Sequence, residues 1–412
     1  MRATDVFKPK GIPTHTLVRE PVAPAASISF DDAIEEGGTL IRVVGPSKSG
    51  KTVFVDTKAE ARRYIRISAS GLKNALELWT RVLASAGGEA ERTTSTEFKG
   101  TVGGEAGAKA SAGIVLFKAE TEGKVKADVS ASSSTAIVLA TDPLHTVIQM
   151  FQDGAVWIFI DDFHYATADV RKELAEQIKF AAEEGVQLII ALIPGRSEDL
   201  LQKNGDLQGR IVDISFDYWS DDELSSIAHS GFPHLNIRLE PGSSVRLARE
   251  SAGTPQLMQA ICLELARELG ARETLTTPIT CTVEQDQVAT ICRRLANGAD
   301  FSETIEQIRK GPPERGNPRK SYTDATGKTR DVYELIIDAI AIDPPQLKFT
   351  YTDLQNRVNL LAGEPVASVW ESVRHISAIA NNMGAEKKFD FGGDLRWVSI
   401  LDPYLFFALR WS

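Results

Sequence analysis

The sequence predicts an α/β protein: a parallel sheet sandwiched by helices, followed by a helical lid and a smaller C-terminal domain of three helices and a hairpin. Three observations predict it. Strand-like runs recur at 41–44, 63–68, 156–160, 186–193 and 211–214, and most are continuously apolar, as strands buried on both faces must be. Helical periodicity fills the stretches between them, the alternation that builds parallel sheets. From about residue 219 the strand-like runs give way to helices until a last alternating pattern at 387–399.

Composition bounds the function. The chain has 412 residues, 42% apolar and 25% charged, enough for two or three domains with proper cores. The net charge of −10 argues against a chain coated in nucleic acid. Cys262, Cys281 and Cys292 have no metal-ligand spacing and read as reduced thiols. The sequence contains no run of 18 apolar residues and no signal-type h-region at its start, so a cytoplasmic protein without a membrane partner is expected.

The first strand leads into Ile41–Val55, which reads IRVVGPSKSGKTVFV. Its centre, Gly45-Pro46-Ser47-Lys48-Ser49-Gly50-Lys51-Thr52, fits G-x-x-x-x-G-K-[ST], a phosphate-binding loop. The glycines let the backbone curl so that N–H groups face inward. Lys51 supplies a point charge for the β- and γ-phosphates, the Thr52 hydroxyl can ligate Mg²⁺, and the following helix adds its positive end. About a hundred residues on, Val156–Ile160 ends in Asp161-Asp162. A carboxylate at that place can hold Mg²⁺, which assigns Asp161 to the metal. Asp162 can orient the attacking water or merely cap the next turn.

Taken in order, residues 1–30 form a Pro-rich arm, expected to be extended and to cross the surface of the next domain over the adenine. Residues 31–218 are the sheet domain. Within it, 89–135 is a Gly/Ala/Ser-rich insert read as a mobile hairpin or partly disordered excursion. The strand at 186–193 ends in Pro194-Gly195-Arg196-Ser197, which brings Arg196 or Ser197 towards the γ-phosphate if the sheet is parallel; Gly209-Arg210 precedes the last strand. Residues 219–310 are the lid, with Ser220 and Glu223 as a capping box and Gly253-Thr254-Pro255 opening its longest helix. Residues 311–330 are a breaker-rich, basic linker expected to be solvated. Residues 331–412 carry three helices and a hairpin about Gly392-Gly393, a winged-helix pattern. That domain holds 7 Lys+Arg against 11 Asp+Glu, a net of −4, which favours intramolecular packing or a protein contact over DNA.

This order of features resembles the AAA+ ATPases and the related STAND signalling ATPases of prokaryotes, over nearly the whole chain apart from the insert. The Asp161-Asp162 pair and the Gly253-Thr254-Pro255 turn lean towards STAND, since most AAA+ enzymes carry Asp-Glu. The resemblance implies a P-loop NTPase domain with ATP and Mg²⁺ as cofactors. It implies phosphate contacts from the 45–52 loop, a hydrolytic acid at Asp162, a sensor region at Arg196, an arginine reaching a phosphate at Arg210, and Pro255 near the nucleotide. Where AAA+ proteins often carry a lid arginine, this chain has Gln256, which implies slow hydrolysis. The expected function is a nucleotide-driven switch, of the kind used in bacterial signalling or defence, acting by self-association or through a protein partner. The alternative is a DNA-handling AAA+ ATPase that uses its winged helix. No N-K-x-D motif appears, so ATP rather than GTP is expected.

Overall fold

The computed structural model describes the chain except for residues 19–23, 61, 87–88, 94–113, 120–135, 141, 194–210, 299–300, 315, 317, 325–326, 385–386, 393–395 and 412. Two units emerge. The first comprises Met1–Val22, Gly45–Phe54 and Phe216–Ser412; the second comprises Ala23–Val44 and Val55–Ser215.

The second unit is built on a five-stranded sheet. Its order is Arg63–Ser68, Val156–Asp161, Leu188–Leu192, Leu40–Val44, Ile211–Ser215, and every pairing is parallel. The strand ending in Asp161 is therefore separated from Leu40–Val44 by Leu188–Leu192, and both end at the same edge of the sheet. Alternation divides each strand between two layers. Ile158 and Ile160 face a cluster with Trp79, Val147, Leu174 and Ile178, from the helices Leu76–Ser85, Pro143–Phe151 and Ala168–Glu183. On the other face Trp157 meets Phe30 of the Pro24–Glu36 helix edge-on, at 5.8 Å. The three inner strands are covered on both sides and need apolar residues at consecutive positions, which is why they read as apolar runs, whereas the edge strands Arg63–Ser68 and Ile211–Ser215 are partly exposed and carry charged residues. Arg42 is the exception. Buried in the loop-bearing strand, it donates to Asp213 on the neighbouring strand at 2.6 Å.

The Pro-rich arm does not run to residue 30, because Pro24 opens a helix at the position where a missing N–H costs nothing. Glu89–Thr93 and Ile114–Ala119 of the insert, with Ala136–Ala140 just beyond it, form a three-stranded antiparallel sheet with Ile114–Ala119 central; the stretches connecting them lie outside the described residues.

In the first unit the chain's start packs on the lid. Phe7 is fully buried against Phe232, ring centres 4.9 Å apart, inside a cluster with Ile227, Leu257 and Ile261. The lid helices are Asp221–Gly231, Ser243–Glu250, Pro255–Glu268, Gln285–Asn297 and Ser302–Lys310. Ser220 and Glu223 form the capping box read from the sequence. Two short strands, Ile237–Leu239 and Ile279–Cys281, pair in parallel beside them.

The region read as a solvated linker is more ordered than that. Tyr322–Thr323 and Thr329–Arg330 pair as a hairpin, and Arg330 is largely buried in ion pairs with Asp324 and Asp338. The C-terminal region contains helices Val332–Ala341, Tyr351–Ala362 and Val369–Asn382. A three-stranded antiparallel sheet follows, with Trp397–Ile400 between Lys348–Thr350 and Phe389–Gly392. The last helix, Pro403–Trp411, went unread in the sequence and contributes Leu405, Phe406 and Leu409 to this core. Among the described residues no helix is long and apolar enough to cross a membrane.

Candidate nucleotide-binding site

The loop that follows Leu40–Val44 belongs to the first unit, and the acidic strand end belongs to the second.

Gly45 is fixed by close approach. A Cβ there would lie 2.4 Å from Cβ of Phe216, so any side chain would push the loop off the residue it rests on. Gly50 has φ +101, a conformation that glycine adopts without penalty. Lys51 is buried and folds back along the loop, its Nζ donating to the carbonyls of Gly45 and Pro46 at 2.9 and 2.6 Å. The Ser49 hydroxyl is buried with no hydrogen-bond partner. Lys51 and Thr52 open the Lys51–Lys58 helix, so its first N–H groups and positive end lie at the loop. A curled backbone that excludes a Cβ, an inward lysine and a helix start together fit a phosphate group.

Lys48 points elsewhere. It is held at φ +62, and its ammonium lies 3.2 Å from Asp402 and 4.5 Å from the centre of the Tyr404 ring. Asp402 also accepts the Tyr404 backbone N–H at 2.9 Å, at the start of the last helix. Burial, then the Asp402 charge, pushes the Tyr404 phenol up to about 12. It therefore presents a neutral ring to Lys48.

At the acidic strand end, Asp161 is the last strand residue and its Oδ1 accepts the Asp162 backbone N–H at 2.9 Å. Asp162 stands in the left-handed region at φ 58, and its Oδ2 accepts from the Ser68 hydroxyl at 3.1 Å. It precedes a 3₁₀ turn, Phe163–Tyr165, without a side-chain cap bond. A non-glycine residue in that conformation carries strain of order 1 kcal/mol, a cost that concentrates at functional sites. Nearby, the Tyr64 hydroxyl donates to Asp56 at 2.7 Å; burial, then that hydrogen bond, holds the phenol protonated. Among the described residues no cluster of three or more His, Cys, Asp or Glu could hold a metal by itself.

Pro255 is the first residue of its helix. Gln256, the next residue, donates to the Pro9 carbonyl at 2.7 Å. Gln259 on the same helix accepts the Lys8 N–H at 3.1 Å and donates to Thr16 at 2.7 Å. These side chains tie the arm to the lid. Arg196, Ser197, Gly209 and Arg210 lie outside the described residues.

Sequence reading missed Ser68, Trp219, Asp402 and Tyr404. Trp219 follows the last strand of the sheet, and its indole N–H donates to the Ser49 carbonyl at 2.9 Å.

No protein-family model matches the chain, and no curated protein matches it. Among solved structures it is similar to a Walker-type ATPase of Pyrococcus abyssi, with TM-score 0.53 and 14% identity over 98% of this chain and 99% of that one. Cdc6p from Pyrobaculum aerophilum aligns with TM-score 0.42 and 12% identity over 99% and 97%. The RuvB branch-migration motor of Thermotoga maritima aligns with TM-score 0.36 and 15% identity over 70% and 76%. Only the first carries weight, and at that identity it speaks to fold alone. The fold is that of a P-loop NTPase: a central parallel sheet between helices, with the loop after one strand.

Proposed function

We propose that the chain is an ATP-binding, slowly hydrolysing switch of the AAA+/STAND kind, whose conformation or assembly follows its nucleotide state. The observation that carries this is the Lys48–Asp402 contact. A residue inside the phosphate loop is paired with the last helix of the C-terminal region, so a change in the loop is felt there directly.

In this reading Lys51 and the N–H groups of 45–52 bind the phosphates, and Thr52 and Asp161 hold the metal. Magnesium, when bound there, would supply neutralising positive charge to the phosphates. Asp162 orients water, its carboxylate steadied by Ser68. Arg196 and Arg210 offset charge on the phosphates, Arg210 in cis or across a subunit interface. Pro255 stands near the nucleotide. The absence of an arginine at 256 fits slow turnover.

The DNA-handling reading draws on the winged-helix pattern and the basic 311–330 segment, and the net −4 of residues 331–412 disfavours it. The deciding test is steady-state ATP hydrolysis with mass in solution, for wild type and Asp162→Asn, with and without duplex DNA. Slow turnover indifferent to DNA, lost in the variant, with a nucleotide-dependent change in mass or shape, supports the switch. Turnover raised several-fold by DNA moves the assignment to the second reading.

A further inference from the structure

An aromatic side chain outside the phosphate loop hydrogen-bonds to its backbone. We infer that Trp219 is a positioning residue for phosphate binding, and that it joins the loop to the turn that opens the longest lid helix. This rests on the nucleotide-binding reading above.

Two hydrogen bonds carry the inference. The Trp219 indole N–H donates to the Ser49 carbonyl at 2.9 Å, and the Trp219 backbone N–H donates to the Gly253 carbonyl at 3.0 Å. In a planar trans peptide the C=O and the following N–H point in opposite directions. Fixing the Ser49 carbonyl towards Trp219 therefore turns the Gly50 N–H away from it, to the opposite side of the loop. At Gly50, with φ +101, the peptide plane has more freedom than at any other residue type. An external tether is thus most useful at this peptide, where an anion site needs its N–H aimed in advance. The indole also packs against the loop: its Cζ2 lies 3.8 Å from where a Cβ on Gly50 would stand.

The same segment reaches two further parts of the first unit. Tyr218 lies against Gly253, and its hydroxyl is 3.4 Å from the Ser399 hydroxyl in the C-terminal sheet. Residues 218–219 thus touch the loop, the Gly253-Thr254-Pro255 turn and the C-terminal sheet. Closing the loop on phosphate and setting the lid turn share one residue.

The experiment measures binding of Mg·ADP and of inorganic pyrophosphate by calorimetry to wild type, Trp219→Phe and protein carrying 3-benzothienylalanine at 219. The last keeps the bicyclic ring and lacks the N–H, so it guards against a packing defect in the phenylalanine variant. Loss of one hydrogen bond should weaken both ligands about five- to tenfold, by the same factor, because the contact acts on phosphate rather than on the base. The melting temperature without ligand should stay near that of wild type for the isostere. Unchanged affinity in both variants overturns the inference. So does a loss confined to ADP. Failure of wild type to bind either ligand sinks the nucleotide-binding reading itself, a separate outcome.

Discussion

Lys48 and Asp402 stand 354 positions apart in the chain and 3.2 Å apart in the fold. Lys48 is half-exposed and Asp402 more covered, at 32% and 18% of their side-chain surface. Screened pairs of this kind contribute up to about 1 kcal/mol, which is enough to tune a switch without locking it. Asp402→Asn separates charge from capping, because asparagine caps a helix as well as aspartate does. If the pair restrains the loop, the variant should hydrolyse ATP about two- to fivefold faster with its melting temperature nearly unchanged. A rate equal to wild type would remove the contact from regulation.

Asp162 offers a second test, set by its backbone. At φ 58 the residue tolerates asparagine far better than alanine, since Asn populates the left-handed region readily. Asp162→Asn should therefore keep the fold and the nucleotide affinity and lose turnover. Asp162→Ala should lose turnover and about 1 kcal/mol of stability besides. Urea unfolding of both variants beside their hydrolysis rates separates the two effects. Equal turnover in Asp162→Asn and wild type would leave the left-handed aspartate as a structural feature only.

The parts legible in the sequence were those written in local patterns. The 41–44 and 156–160 strands are buried on both faces, so their apolar runs could be read directly, and the loop motif fixes its own geometry through two glycines. What stayed illegible depends on pairing across the chain. Nothing near residue 402 or 219 in sequence points to a phosphate loop at 45–52; the contacts arise only once the first unit assembles. The Pro-rich arm is expected to be extended, but Ala3–Val6 is helical and residues 9–11 turn and bend, and its partner is the lid through Gln256 and Gln259. Gln256 was noticed for the arginine it replaces, while its own work is to hold Pro9. The 311–330 stretch looked solvated because its breakers and charges are what surface linkers carry; Arg330 is instead covered because Asp338 and Asp324 neutralise it.

Asp338 sets a pH dependence. Burial pushes its carboxyl up, but the hydrogen bond from Arg309 and the charges of Arg309, Lys328 and Arg330 outweigh this and hold it below 3.8. A carboxylate depressed by folding contributes stability that is fully present above the unfolded value and is lost as pH falls through the folded one. Urea midpoints should therefore drop as pH falls below 3.8. In Asp338→Asn the midpoint should already be lower at pH 7, and the acid-side drop should be smaller. Parallel pH curves for variant and wild type would show that the cluster around Asp338 contributes nothing to folding.

Arg410 and Glu250 join the C-terminal helix to the lid helix Ser243–Glu250. Both are almost completely buried, at 8% and 4% side-chain exposure, with Nε 2.9 Å from the carboxylate. Arg410 also donates to the carbonyl of Ala341 and to Asp343. Removing one partner of a buried pair strands the other charge, a cost of about 3–5 kcal/mol. Arg410→Leu should lower unfolding free energy by that much, measured by urea denaturation at pH 7. The double variant Glu250→Leu with Arg410→Leu should recover most of the loss, since two apolar groups restore packing without a stranded charge. The cycle then measures the coupling itself. A single-variant cost below about 1 kcal/mol would mean that water reaches Glu250 once the arginine is gone, and the lid would be joined to the C-terminal helix by its apolar contacts alone.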